Sequence, residues 1–206
     1  MGVELAPATG RPLPSTAPPP RRSRPTVLLT GTSLAAAGSL MFFACLIGVY
    51  LAQRTQALET SGTWLPEGST IPLTPANMAM VTILMAGFTV QWAVYAIKND
   101  DRNSAYLGLG LSMLLALAFV NEIVVLYTRM GLGVADSLAG TLIYTISGAH
   151  LAMVLVAVLY MAVMAFRALG GQFSRSDNAG LQAAAIYWYA TVGVYALIWY
   201  SIYITK

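Results

Sequence analysis

The sequence predicts an all-α, polytopic membrane protein, a bundle of five transmembrane helices with its N-terminus in the cytoplasm and its C-terminus outside. Three observations predict it. Hydrophobic residues make up 57% of the 206-residue chain and charged residues only 9%, whereas a soluble domain carries roughly 25% charged residues. Five apolar runs reach the length of about 20 residues that a helix needs to cross roughly 30 Å of hydrocarbon with its backbone paired internally. Of the ten prolines, Pro7, Pro12, Pro14, Pro18, Pro19, Pro20 and Pro25 lie in the N-terminal stretch, and Pro66, Pro72 and Pro75 in one loop. None falls inside an apolar run. A membrane β-barrel is excluded, because its strands would alternate apolar and polar residues in segments of about ten.

Residues 1–25 are rich in Pro, Arg, Ser and Thr and contain little that a core could bury, so a disordered cytoplasmic arm is expected, with its basic end near anionic lipid. The five-helix domain follows over 26–206. Its first span, 27–51, carries the small-residue run "LAAAG" before Ser39, a composition suited to close helix packing. A loop with Trp64 and three prolines leads to the second span, 77–97, where Gln91 beside Trp92 suggests an interhelical hydrogen bond. The turn "KNDDR" places Lys98, Asp100, Asp101 and Arg102 between spans two and three and pins both helix ends in the headgroup region. Span three, 104–128, contains "GLGLSMLLALA" and then "ALAFVNEIVVLYTRMG", with Asn121 and Glu122 inside otherwise apolar sequence. Span four, 139–166, contains "YTISGAHLAMV" with His150. Span five, 181–204, ends the chain with "YWYATVGVYALIWYSIY".

Charge orients the bundle. Of the eleven Lys and Arg residues, Arg11, Arg21, Arg22, Arg24, Lys98, Arg102, Arg167 and Arg175 fall on the side of the N-terminus, and Arg54, Arg129 and Lys206 on the other. By the positive-inside rule the first side is cytoplasmic.

The chain carries no apparent catalytic constellation. Cys45 is its single cysteine and His150 its single histidine, too few for a cysteine metal cluster, a bis-histidine haem or a multi-histidine copper site. Methionines in apolar spans read as packing. No glycine loop precedes a lysine in the manner of a phosphate cradle, and no nucleophile adjoins an obvious base. Any redox cofactor would therefore sit in a partner.

The candidate polar positions are Glu122, His150, Asn121 and Gln91. An ionisable group at the depth of Glu122 faces the bundle, a partner or a water pocket, so a functional role and a structural hydrogen bond both stay open. A lone membrane histidine most simply donates one hydrogen bond across a helix interface, with a proton-linked or assembly role as the alternative. Ser39, Trp64, Trp92, Trp188, Tyr189 and Trp199 are candidates for a lipid or subunit interface. Trp64, Tyr195, Trp199, Tyr200 and Tyr203 fit an interfacial aromatic belt.

In order, "SLMFFACLIGVYLAQR", "GTWLPEGSTIPLTPANMAMVTILMAGFTVQWAVYAIKNDDR", "GLSMLLALAFVNEIVVLYTRMGLG", "GTLIYTISGAHLAMVLVAVLYM" and "AAAIYWYATVGVYALIWYSIY" resemble subunit III of the heme-copper terminal oxidases in its short five-helix form. The resemblance runs from about residue 25 to the C-terminus. It implies a cofactor-free accessory subunit that packs on the catalytic subunit I, lies in one complex with subunit II and other respiratory subunits, binds phospholipid and supports proton uptake and stability. Haem and copper belong to those partners, and nucleic acid is not expected. The chain departs from the pattern at several polar positions. Ser39 stands where the family carries a helix-one Glu, and Met153 where a second His is frequent. Tyr189 and Gly193 replace a His and an Asp, and Val125 takes the usual helix-three Glu position while Glu122 falls near a family Gln. The expected location is a bacterial plasma membrane. An accessory subunit of a nitric oxide reductase and a small standalone transporter are the alternatives.

Overall fold

The computed structural model describes residues 25–205, with side chains from 27 onward, so the expected arm lies outside the described residues except for Pro25. Five helices follow one another: α1 (Pro25–Ser61), α2 (Leu73–Lys98), α3 (Arg102–Arg129), α4 (Leu138–Leu169) and α5 (Ala179–Ile198), with a π-helical ending over Trp199–Ile204. All five are long and apolar enough to cross a membrane.

The helix ends differ from the expected spans for local reasons. α1 was expected to stop at residue 51 but continues to Ser61. Hydropathy falls after Leu51, yet "AQRTQALETS" consists largely of good helix formers, so the helix persists beyond the apolar stretch. α2 begins at Leu73 rather than 77, with Pro72 as its N-cap and Pro75 buried in its first turn. Proline is tolerated there because the first amides of a helix have no intrahelical acceptor. The π-helical ending was not signalled by the composition of the fifth span.

The turn between α2 and α3 takes only three residues. Asp100 adopts a left-handed backbone with φ of 59°, a conformation that Asp tolerates better than most residues. Asp101 then caps α3, its carboxylate accepting from the Ser104 amide at 3.1 Å. Hydrogen bonding from Ser104 holds this carboxyl below the usual range. The charged turn thus reverses the chain and starts the next helix.

α2 and α3 form the most extensive helix pair, α1 packs chiefly on α5, and α5 also touches α2 and α4. α5 is the most enclosed helix and α1 the least. Ala183, Ala184 and Ala185 are all buried on α5, and small side chains let backbones approach where lipid supplies no hydrophobic drive between helices. The "LAAAG" run does not make the close-packed face expected of it. Ala36 is buried, but Leu34, Ala35, Ala37 and Gly38 are exposed, because α1 is packed on one side only.

At Gly108, α3 lies directly against the α2 backbone. A Cβ there would lie 3.0 Å from the Thr89 carbonyl oxygen and 3.1 Å from the Ala93 Cβ. Gly108→Val is therefore expected to force α2 and α3 apart and destabilise the bundle by about 1–3 kcal/mol, read as a lower thermal unfolding midpoint in detergent. A wild-type midpoint would show that the contact is not limiting.

Candidate functional site

Polar side chains within the spans meet in pairs rather than converging on one centre. His150, on α4, is buried and its Nε2 lies 3.0 Å from the Thr191 carbonyl oxygen of α5. A carbonyl only accepts, so Nε2–H donates. Around the imidazole stand Phe43 of α1 at 6.1 Å between ring centroids, Phe119 of α3 at 5.8 Å and Tyr195 of α5 at 5.4 Å. One histidine therefore joins four helices. Tyr195 is itself fixed from α2, its hydroxyl donating to the Ala76 carbonyl at 3.1 Å.

Glu122, on α3, is half-buried, and its Oε1 accepts from the Thr82 hydroxyl of α2 at 3.0 Å. Its other oxygen, Oε2, is buried and has no hydrogen-bond partner among the described residues. Asn77, Met78, Val81, Thr82 and Glu122 line an open notch of about 290 Å³. Asn121, the adjacent residue, is exposed and does not line it. Gln91 is exposed on α2 and accepts from the Tyr189 hydroxyl of α5. These two residues sit with Leu84, Gly87, Phe88 and Val192 around a second notch of about 360 Å³.

The aromatic candidates divide. Trp92 and Tyr189 are exposed at 44% and 40%, and Trp199 is half-buried with its indole donating to Asn77 at 2.8 Å. Trp64 donates to the Tyr50 hydroxyl at 3.1 Å from the loop after α1. Trp188 is no surface residue: at 1% exposure it is the largest fully buried side chain. Tyr195 and Tyr203 are likewise buried, so the expected belt is reduced to half-buried Trp64 and Trp199 and exposed Tyr200. The physical reason is position, since α5 lies inside the bundle and turns most of its aromatic rings toward neighbouring helices.

Ser39 is half-buried on α1 and donates to its own helix, at Ala35 O, 3.0 Å away. Its hydroxyl contributes no bond to another helix. Ser39→Ala is accordingly expected to leave stability within about 0.5 kcal/mol of wild type, again read from thermal unfolding. A larger loss would show that the hydroxyl does more than bond its own helix.

Thr82 and Asn77 were not singled out from the sequence, and Tyr195 only as part of an aromatic belt, although each completes a polar pair or the histidine cluster. The available signal was a lone hydroxyl or amide in "ANMAMVTILMAG". Its partners lie 40 or more residues away in the chain, beyond the reach of local pattern. Among the described residues no group of three or more His, Cys, Asp and Glu side chains is arranged to hold a metal ion.

The family model described as cytochrome c oxidase subunit III matches residues 26–206. Among curated proteins, the chain is 26% identical over 166 residues to cytochrome c oxidase subunit 3 of Prototheca wickerhamii, covering 80% of this chain and 63% of that protein. Against the protein of the same name from Cyprinus carpio it is 30% identical over 148 residues, covering 70% and 56%. For Chondrus crispus the values are 28% over 167 residues, 80% and 61%. The chain thus matches less than two thirds of the length of these relatives.

Proposed function

Because the chain belongs to the cytochrome c oxidase subunit III family, we propose that it serves as a cofactor-free accessory subunit of a heme-copper oxidase in aerobic respiration. It packs on the catalytic subunit I, in one assembly with subunit II, and its partners carry the haem and copper. The observation that carries this reading is the family match across all five helices. The dispersed pairing of polar side chains supports it, because each interhelical bond fixes packing and none shares a cavity with a second ionisable group.

Phospholipid is the second proposed partner. A groove of about 460 Å³ lined by Val27, Leu28, Gly31, Thr32, Val156 and Tyr160, among others, runs between α1 and α4 and has the apolar character an acyl chain requires. Proton uptake is a weaker part of the proposed role here. Where the family resemblance expects a carboxylate on the first helix, Ser39 offers a hydroxyl engaged by its own backbone, which titrates at no physiological pH.

The membrane is proposed to be a bacterial plasma membrane, with the N-terminus cytoplasmic. Lys98, Arg102 and Arg167 lie at one set of helix ends and Arg129 at the other, in keeping with the positive-inside rule.

Affinity purification of the tagged full chain from its native membranes in mild detergent, followed by peptide identification, tests the reading. A large histidine-rich membrane subunit with a copper-binding subunit II supports it, whereas a nitric oxide reductase catalytic subunit replaces oxygen with nitric oxide as the substrate. A chain recovered without any metalloprotein overturns both.

A further inference from the structure

We propose that the groove between α3 and α4 binds an anionic phospholipid, whose acyl chain lies in the groove and whose phosphate meets Arg102 at its mouth. The site is separate from the α1–α4 groove, and it holds whether or not the chain serves an oxidase.

Tyr106, Gly110 and Met113 of α3 and Ala162, Phe166 and Leu169 of α4 are among the residues that line a hollow of about 220 Å³. Its one polar side chain, Tyr106, is already engaged, the hydroxyl donating to the Ala168 carbonyl at 3.1 Å. On α3 the lining residues step back toward the helix start in intervals of three or four, from Met113 to Gly110, Tyr106 and then Arg102, so all four share one helical face. Arg102 is the first residue of α3, and at 1.5 Å per residue Met113 stands about 16 Å further along the axis. One leaflet of hydrocarbon is about 15 Å deep. The groove therefore runs the depth of a leaflet from the helix ends inward.

Both walls end at a guanidinium. Arg102 reaches across to the turn after α4, where its Nη1 lies 3.7 Å from the place a Cβ of Gly171 would take, just past Leu169. It is exposed and forms no ion pair among the described residues. Asp101, beside it in the turn, has its carboxylate engaged by the Ser104 amide. Arg167, near the same end of α4, donates to the Gln172 carbonyl oxygen at 2.9 Å and lies over the Phe173 ring, adding a second positive charge to this end of the bundle.

Size and charge together name the occupant. One turn of helix, about 5.4 Å tall and about 10 Å across, displaces roughly twice the volume of the hollow, so an acyl chain enters it where a helix does not. A guanidinium is a forked donor matched to phosphate oxygens. A zwitterionic headgroup would bring its own cation to the same place, which favours an acidic headgroup without one. At Gly110 an added Cβ would meet nothing within 4 Å, so the hollow is open where that position lacks a side chain.

A photo-reactive phenylalanine analogue in place of Phe166, which is 73% exposed, tests the site, with a second in place of Phe42 on α1, 53% exposed, as control. The full chain, with whatever subunits it retains, is reconstituted into phosphatidylcholine vesicles that contain phosphatidylglycerol as the minor lipid, irradiated, and its adducts are identified by mass. Phosphatidylglycerol should be enriched about five-fold at Phe166 over its share of the bilayer, and not at Phe42. Arg102→Gln should return Phe166 to the bilayer ratio, while Arg102→Lys, which keeps the charge, should retain part of the enrichment. Gly110→Leu should also abolish the enrichment by filling the hollow, and should unfold at the wild-type temperature, which separates a blocked groove from a damaged fold. The bilayer ratio at Phe166 in the wild type, an enrichment that Arg102→Gln leaves unchanged, or adducts to a peptide of another subunit overturn the proposal. Enrichment in a preparation that carries no haem protein leaves the lipid site standing while the oxidase reading falls.

Discussion

His150→Ala is expected to destabilise the bundle by about 2–4 kcal/mol, because it removes a buried side chain and a buried hydrogen bond together. The imidazole is 2% exposed and lies against Phe43, Phe119 and Tyr195. Alanine leaves a cavity bounded by α1, α3, α4 and α5, which rigid helices close only in part. It also removes the donor to the Thr191 carbonyl. Thermal unfolding of the detergent-solubilised chain measures the loss. His150→Gln, which restores an amide donor but not the ring, should recover part of it, and His150→Phe should restore packing without the bond. If His150→Ala unfolded at the wild-type temperature, the histidine would not be the structural hub that its contacts indicate.

The second large effect is expected at Trp188. At 1% exposure it is the largest fully buried side chain, and Trp188→Ala should cost about 3–5 kcal/mol. Its indole N–H has no partner among the described residues, so Trp188→Phe sheds an unpaired donor and keeps most of the ring, and its cost should be much smaller. The neighbouring Tyr189 provides the contrast. It is 40% exposed and bonds to Gln91 at the surface, so Tyr189→Ala should cost no more than about 1 kcal/mol. The same unfolding measurement separates the two. Equal losses at Trp188 and Tyr189 would contradict the placement of α5 inside the bundle.

These two residues also mark where the sequence stops being informative. The five spans were legible because a membrane helix must satisfy its own backbone, and that requirement writes itself into length and hydropathy. Which face of each helix is buried was not legible. In a soluble helix the polar face identifies itself, but a helix that meets lipid on one side and protein on the other is apolar on both. Trp188 and Tyr189 are adjacent and look alike as aromatic residues near the start of a span, yet one is core and the other surface. For the same reason "LAAAG" reads as a packing surface and is mostly exposed.

Hydropathy misled in a different way at α1, where the apolar stretch ended at Leu51 but the helix did not. At the polar positions, Glu122 and His150 were visible as exceptions in apolar sequence. Their partners, the Thr82 hydroxyl and the Thr191 backbone carbonyl, were not, since a threonine in a membrane helix is unremarkable until the fold places a carboxylate beside it and every residue carries a carbonyl. Long-range pairing is a property of the packed bundle, and no local pattern encodes it.

We propose that the chain acts within an oxidase whose metals lie elsewhere. A reduced-minus-oxidised difference spectrum, taken on the tag-purified complex and again on the chain after its separation from that complex, tests this most directly. Haem bands and oxygen reduction are expected in the complex, and neither in the separated chain. A colourless preparation before separation, or haem bands that stay with the isolated chain, would contradict it.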